Sequence, residues 1–281
     1  MTRSAFCLAI LSCTLLAATL AGAAIRYAPY HGPPASAQAA AAQAEQRYFE
    51  RLFSEQGIDP GSDKAQIIRK WVTKIRRDPT IAASLPGGEG VNRIFLDADA
   101  RQSFMANGVA HLEPADRLDY VKLLAKFLDE LVPVNCFGLV DMGAVMNRIT
   151  LREMPDADAD RYFGLLYKIL LSNRREPVAA PTLQQFTEAQ RQFARALLAQ
   201  LGSDEANIER FKTYADDPSV ATPTDTCWAT RVTLHAMIAM PDPSRDVMLL
   251  RTVIHNGPDG DARDKADPTP ASSQPAHAPG P

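Results

Sequence analysis

Apolar residues recur at the spacing of an α-helix along most of this chain, and this pattern restricts the fold to packed helices. Several segments repeat an apolar residue every three or four positions, as a helix with one buried face requires. In the central segment this face consists of Leu118, Val121, Leu124, Ala125 and Leu128. No convincing alternation of apolar and polar residues, which is typical of a half-buried strand, accompanies it. The sequence therefore predicts an all-α bundle of about eight to ten helices over residues 39–255.

Several helix boundaries follow from residues that begin or end helices. Ser62 precedes one apolar-periodic segment and is expected to be its N-cap. Thr182 and Gln185 match the capping box T-x-x-Q at the start of another. Pro114 lies in the first turn of the central helix, where proline is tolerated, and Pro133 ends that helix.

Other boundaries depend on weaker signals. Thr224 or Asp225 is expected to cap the helix that carries Cys227. A helix over about 98–106 is expected to end at the pair Asn107–Gly108. The apolar period after Pro133 predicts one helix over 134–153 that carries Cys136.

The N-terminus has the order of parts of a secretory signal peptide. A short positive start that includes Arg3 is followed by the uncharged run Ala5–Ile25, and the small residues Ala21–Ala23 fit a cleavage site. This pattern predicts removal of residues 1–23 and export to the periplasm or the extracellular space. An uncleaved segment is the alternative, since 21 uncharged residues are long enough to anchor the protein in the inner membrane, facing out. Lipid attachment at Cys13 fits poorly, because the apolar run continues past it.

Export decides how the cysteines are interpreted. Cys7 and Cys13 lie in the signal segment, so Cys136 and Cys227 are the two that a mature chain keeps. Two cysteines in an oxidising compartment most simply form one disulfide. The alternative is a pair of buried free thiols, which are common in protein cores.

The two ends of the chain and one internal segment differ in composition from the helical part. Residues 24–38 are expected to form a flexible leader, because Gly32-Pro33-Pro34 interrupts regular structure. Residues 256–281 contain six prolines, four aspartates and no large apolar residue, which predicts a disordered Pro/Ala/Asp-rich tail. The segment 174–181 is the best internal linker, so the domain is expected to be divisible into two helical layers there.

Charge and motifs exclude several classes of function. The chain has 30 basic and 33 acidic residues, which argues against nucleic acid as a general partner. Asp156, Asp158 and Asp160 resemble the start of a calcium loop, but Arg161 stands in place of its turn glycine and Tyr167 in place of its bidentate glutamate. No HExxH, CxxC or GxSxG motif occurs. The sequence predicts no catalytic residue, no metal and no cofactor.

One predicted helix, over 62–77, carries an unusual number of positive charges. Its apolar residues Ile68, Trp71 and Ile75 recur at helical spacing opposite the basic ones. Such a helix can lie on an anionic membrane or contact an acidic protein, or it can be a core helix with a solvated basic face. The basic residues of this helix are Lys64, Arg69, Lys70, Lys74, Arg76 and Arg77.

We expect Lys70, Lys74 and Arg77 to remain in water and to be the partner-binding residues of this helix. The first hypothesis is therefore an exported, non-enzymatic protein-binding protein, of which an immunity or inhibitor protein is one concrete form. Two alternatives stay open. One is a structural envelope protein anchored in the inner membrane, and the other is an envelope hydrolase whose site is assembled from distant polar residues. The partner's identity and the oligomeric state do not follow from the sequence.

Overall fold

The computed structural model of the protein describes residues 35–84, 105, 107–173 and 178–255. The signal segment 1–23 and the tail 256–281 lie outside the described residues. The chain divides into two compact units, residues 1–45 and 46–281. Of the first unit, the structure describes a helical stretch over 35–45, which begins inside the range that the sequence assigns to a flexible leader. The packing described below concerns the second unit.

The fold is all-α, as the apolar periodicity predicts, and eight of its helices have seven or more residues within the described ranges. Two single 3₁₀ turns, Cys136–Gly138 and Pro218–Val220, interrupt the order of α-helices. Residues 107–110 are also helical. The α-helices with assigned bounds are α1 (Ala35–Gln56), α2 (Asp63–Arg77), α3 (Pro79–Ser84), α4 (Pro114–Glu130), α5 (Met142–Met146), α6 (Asp156–Ser172), α7 (Leu183–Gln200), α8 (Glu205–Asp216), α9 (Pro223–Ala239) and α10 (Ser244–His255). Among the helices described, none is both long enough and apolar enough to cross a bilayer.

Local capping explains where three of these helices begin. The Ser62 hydroxyl accepts a hydrogen bond from the amide of Ala65 at 3.2 Å, which confirms the predicted cap of α2. Thr182 and Gln185 form the complete capping box at the start of α7. The cap of α9 is Thr222, whose hydroxyl accepts from the amide of Asp225. The prediction that Thr224 or Asp225 is the cap was wrong, since both already lie inside the first turn.

The predicted helix over 134–153 is absent. The chain instead makes the 3₁₀ turn Cys136–Gly138 and only then the short helix α5. Cys136, Phe137 and Gly138 have positive φ angles of 47°, 56° and 79°. Three successive left-handed residues cannot continue a right-handed helix. The regularly spaced apolar residues of this stretch therefore belong to a loop, and some of them pack into the core.

The core is built from two groups of helices. One group packs α1, α2, α3 and α6 around Phe53, Ile68 and Phe163, which are at most 1% exposed. The other packs α4, α7, α9 and α10, with Ala189 and Met240 at its centre. Helix α4 also contacts α6 through Leu123 and Phe127, so it belongs to both groups.

A disulfide joins α9 to the loop that follows α4. Cys136 and Cys227 are bonded, their Cα atoms are 5.5 Å apart, and both residues are 0% exposed. This separation lies inside the range of about 4.4–6.8 Å that a disulfide requires. The structure therefore supports the bridge that the sequence predicts over the alternative of two free thiols.

Candidate docking surface on helix α2

Helix α2 uses its apolar side for the core of the protein. Ala65, Ile68, Val72 and Ile75 are all 0% exposed and pack with residues of α1 and α6. Trp71 is half-buried at the edge of the same cluster. The apolar face of this helix is consequently not available to a membrane or to a partner.

Several basic residues of α2 also hold the helix against its neighbours. Lys64 donates to the carbonyl oxygens of Arg152, at 3.0 Å, and of Met154, and its ammonium lies 3.4 Å from a carboxylate oxygen of Asp156. Arg69 places its guanidinium over the rings of two phenylalanines of α1, and Arg76 lies 4.8 Å from the ring centre of Tyr48. These three cations bind α2 to its neighbours, a role that the sequence pattern did not distinguish from solvation.

The other three cations, Lys70, Lys74 and Arg77, also make contacts but are exposed, as predicted. They occupy positions i, i+4 and i+7, which places them along one line of the helix surface. At 1.5 Å of rise per residue, this line is about 10 Å long. We call these three residues the basic ridge.

The central residue of the basic ridge is held by aromatic rings. The Lys74 ammonium lies 4.1 Å from the ring centre of Tyr167 and 5.0 Å from that of Trp71. A cation is attracted to a ring face at such distances, by about 0.5–1 kcal/mol where the site is exposed. No carboxylate contacts this ammonium within the described part of the chain. Among the described residues, Lys74 is therefore oriented by aromatic rings and not by a carboxylate.

Each of these two rings is itself held in place by a hydrogen bond to a carboxylate. The Trp71 indole N–H donates to Oδ1 of Asp160 at 2.6 Å, and the Tyr167 hydroxyl donates to Oδ2 of Asp78 at 2.7 Å. Lys70 also donates to Asp160, at 3.1 Å. No pattern in the sequence predicts these contacts, since they join residues 89 or 90 positions apart.

These contacts stabilise the charged forms of both carboxylates. The pKa of Asp160 is lowered, mainly by the hydrogen bond from Trp71 and then by that from Lys70. The pKa of Asp78 is lowered, mainly by the hydrogen bond from Tyr167. Each folded-state pKa lies below its unfolded value of about 3.9. Their stabilising contribution is therefore complete above that value and is lost as the pH falls through the folded pKa.

We expect the double variant D78N/D160N to show a shallower loss of thermal stability between about pH 4.5 and pH 2 than the unmodified protein. Asparagine keeps an acceptor oxygen for Trp71 and Tyr167 but does not titrate, so the fold should persist. Differential scanning calorimetry across this pH range measures the effect. D216N, which alters an exposed carboxylate at the end of α8, is the control. Equal pH profiles for D78N/D160N and the unmodified protein would contradict the assignment.

The three aspartates that resemble a calcium loop have separate partners. Asp156 lies near Lys64, Asp160 binds Trp71, and the buried Asp158 accepts from Lys126 at 2.6 Å. Within the described ranges, no group of three or more His, Cys, Asp or Glu side chains is placed to hold a metal ion. These carboxylates hold α6 against α2 and α4.

A group of polar contacts between α4 and α9 was also not predicted. His235 Nε2 lies 2.9 Å from Oδ2 of Asp129, and Arg231 Nε lies 3.6 Å from Oδ1 of the same carboxylate. Arg231 also donates to the carbonyl oxygens of Leu128 and Val132 at the end of α4. These bonds cap the end of α4, so the Asp129, Arg231 and His235 contacts are part of the packing of α4 against α9.

The basic ridge and the rings beneath it form a surface suited to contact with an anionic group, because its charges are exposed and its central cation is oriented. The chemistry that it offers is electrostatic attraction rather than nucleophilic or acid–base catalysis. The chain as a whole matches no protein-family model, no curated protein and no solved structure.

Proposed function

We propose that this chain is an exported, non-enzymatic binding protein that contacts an acidic protein through the basic ridge. Lys70, Lys74 and Arg77 are the binding residues, and Trp71 and Tyr167 position the central one. An immunity or inhibitor protein, which covers the active site of a toxin or an enzyme, is a concrete form of this function. Such a protein needs a rigid shape and a complementary charge pattern rather than a catalytic motif.

The orientation of Lys74 is the observation that carries the proposal. Its ammonium lies over two rings that are themselves fixed by hydrogen bonds to Asp160 and Asp78. Fixing a side chain before binding reduces the entropy that the complex loses when it forms. A basic residue that served only solubility would gain nothing from this arrangement.

The burial of the α2 apolar face favours a protein over a membrane as the partner. A helix that lies in a membrane interface inserts its apolar face about 5–10 Å into the lipid. In α2 that face is 0% exposed at Ile68, Val72 and Ile75, and it packs in the core. Only the charged side is available, and charge alone gives weak membrane attachment.

Reversing the charges of the basic ridge should abolish partner binding while the fold stays intact. Each protein is used to capture binding proteins from the native cell envelope at low salt. We expect K70E/K74E/R77E to retain at least tenfold less of the partner than the unmodified protein does. The melting temperature should fall by several degrees while the helix content stays the same, because the variant loses the Lys70–Asp160 pair and the contacts of Lys74 with two rings, each worth about 0.5–1 kcal/mol where the site is exposed. The control is K122E/R195E/K212E, which makes the same change in net charge at exposed residues of α4, α7 and α8.

Two results would count against this function. If the control variant loses the captured partner to the same extent, the binding depends on net charge and not on the basic ridge. If the unmodified protein instead binds vesicles of phosphatidylglycerol and the ridge variant does not, the partner is an anionic membrane. A supporting result also requires that the captured protein, once identified and purified, binds through an acidic segment.

Export is the second part of the proposal, and the disulfide supports it because such bonds persist mainly in oxidising compartments. We expect the protein isolated from its native envelope to have lost about 23 residues, as the Ala21–Ala23 cleavage site predicts. Intact-mass measurement checks this. A mass that still includes Arg3 would instead favour the inner-membrane-anchored alternative.

A further inference from the structure

We propose that helix α8 is a movable strap, which opens as one unit and uncovers the side chain of Trp228 on α9 while the rest of the fold stays in place. The inference concerns a different surface from the basic ridge and does not depend on the proposed function. It is based on the burial of α8, on the contacts that attach it to α9, and on the way in which the neighbouring helices end without it.

Helix α8 lies on the surface of the core without entering it. None of its residues is buried, and its apolar side chains Ile208, Phe211 and Tyr214 are half-buried. Among the described residues, no side chain of α8 belongs to a buried core cluster. Helix α6, by contrast, buries seven residues. Since the burial of apolar area supplies most of the free energy that holds a helix in place, α8 is weakly attached.

Ring and charge contacts join α8 to α9 around a single side chain, Trp228. The guanidinium of Arg210 lies 4.3 Å from the ring centre of Trp228, and its Nη2 lies 2.7 Å from Oδ1 of Asp225. The ring of Phe211 meets the Trp228 indole edge-on, with 6.2 Å between the ring centres. Ion pairs and cation–π contacts are weak where water reaches them. The attachment of α8 therefore depends on a few surface contacts that one side chain of α9 provides.

The helices before and after α8 are capped without it. At the end of α7, Gly202 and Ser203 have φ angles of 68° and 55°, and the amide of Ser203 donates to the carbonyl of Leu198 at 3.3 Å. This left-handed end satisfies carbonyl groups of the last turn of α7. The start of α9 is capped by Thr222. Neither helix needs α8 for its terminal hydrogen bonds, so α8 is able to leave while both stay folded.

The gain in conformational entropy favours opening. Helix α8 has 12 residues, and an isolated helix of this length is marginal in water, so the released segment gains backbone freedom. We therefore expect α8 to be open in about 0.1–10% of the molecules, the range of a minor conformational state. Opening uncovers the indole of Trp228, which follows the buried Cys227 in the chain. In this way α8 controls access to the first two turns of α9.

Hydrogen exchange followed by mass spectrometry tests the opening on the chain as its native cell processes it. After correction for intrinsic rates, the amides of α8 should exchange at least about a hundredfold faster than the slowest amides of α4. Urea below the unfolding transition should change this exchange little, because the opening of a small unit exposes little surface. We expect R210A to accelerate exchange in α8 at least about threefold while α7 and α9 stay protected. Alanine is a better helix former than arginine, so faster exchange reports the lost attachment and not a weaker helix.

R191A is the matched control for R210A. Arg191 lies on α7 and pairs with Glu188 of the same helix. The variant therefore loses the same charge and one exposed ion pair without removing a contact between α8 and α9. Its α8 amides should exchange at the same rate as those of the unmodified protein.

Quenching of tryptophan fluorescence by acrylamide tests whether the opening uncovers Trp228. The chain has two tryptophans, so the proteins are compared in a W71F background, where Trp228 is the fluorophore. R210A/F211A removes both side chains that contact Trp228 from α8. It should roughly double the quenching constant, because α8 is then open in most molecules. The melting temperature should stay within a few degrees, because α8 buries no residue.

Four results would overturn the proposal. The amides of α8 would exchange only with global unfolding, at the rate of the slowest amides of α4. R191A would accelerate exchange in α8 as much as R210A does. R210A/F211A would unfold α7 and α9 together with α8. Faster exchange in α8 with unchanged quenching of Trp228 would show a helix that frays in place and does not open as a strap.

Discussion

Replacing Arg117 by methionine should destabilise the protein by about 3–5 kcal/mol. Arg117 is 4% exposed, and its guanidinium donates to the carbonyl oxygens of Val109 at 3.2 Å, Ala110 at 2.9 Å and Leu112 at 2.7 Å. It also forms an ion pair with Asp246. Methionine fills a similar volume but leaves three carbonyl groups and one carboxylate without their donor in or near the core, and each unsatisfied group costs about 1–3 kcal/mol.

The reason for this large effect is that one side chain connects three parts of the fold. Arg117 lies on α4, the carbonyl groups belong to the segment before α4, and Asp246 lies on α10. Urea unfolding of R117M and the unmodified protein gives the difference in free energy of unfolding.

Two further variants of α4 make the test specific to the guanidinium. R117K keeps the charge but cannot reach all three carbonyl groups, so it should be intermediate. K122M, at an exposed position of α4, should stay within about 0.5 kcal/mol of the unmodified protein. A loss below about 1 kcal/mol in R117M would show that water replaces the guanidinium and that this connection is not essential.

Removing the disulfide should have the second large effect. We expect C136A/C227A to lose about 2–5 kcal/mol of stability. The bridge joins residues 91 positions apart, so in the chain-entropy model it strongly restricts the unfolded state. Both cysteines are 0% exposed, and their replacement by alanine adds a small packing loss.

The contacts around the bridge indicate that the fold should survive this change. Arg231 donates to the carbonyl oxygens of Leu128 and Val132 and to Sγ of Cys227, so it holds the end of α4 against α9 through bonds that do not all need the disulfide. Circular dichroism should therefore show unchanged helix content in the double variant, with a lower melting temperature.

A reducing agent provides the control for the disulfide experiment. It should lower the melting temperature of the unmodified protein and have no effect on C136A/C227A. An unmodified protein whose stability is the same with and without reductant would show that the bridge is absent or does not contribute to stability.

Local chemistry made several features of this protein predictable. A capping side chain acts within three residues, so the caps at Ser62 and Thr182 could be identified from the sequence. The outward position of Lys70, Lys74 and Arg77 follows from helical spacing against the apolar positions of α2. The pairing of Cys136 with Cys227 followed from counting, because the predicted signal segment holds the other two cysteines.

Features that join distant parts of the chain were not predictable, since no short-range pattern encodes them. Trp71 and Asp160 are 89 positions apart, and only the packing of α2 on α6 makes them partners. The same packing assigns Lys64 to the core side of α2 and leaves Lys74 exposed. The sequence therefore indicated a basic helix, while the tertiary contacts decided which of its charges form the candidate site.

Two local predictions failed because tertiary contacts outweighed local preference. Asn107–Gly108 is typical of a helix end, yet residues 107–110 are helical, while most of the predicted helix over 98–106 lies outside the described residues. The glycine is required there for packing, because Gly108 lies directly against the backbone of Ile169, where a larger residue would clash. The apolar period after Pro133 favours a helix, yet Cys136 and Phe137 are left-handed in the structure. The amino-acid sequence by itself determined the helical class, the starts of α2, α4 and α7 and the pair of cysteines, because these depend on neighbours in the chain or on composition. The turn at Cys136, the position of Arg117 and the orientation of Lys74 depend on groups far away in sequence, so only the tertiary structure decided them.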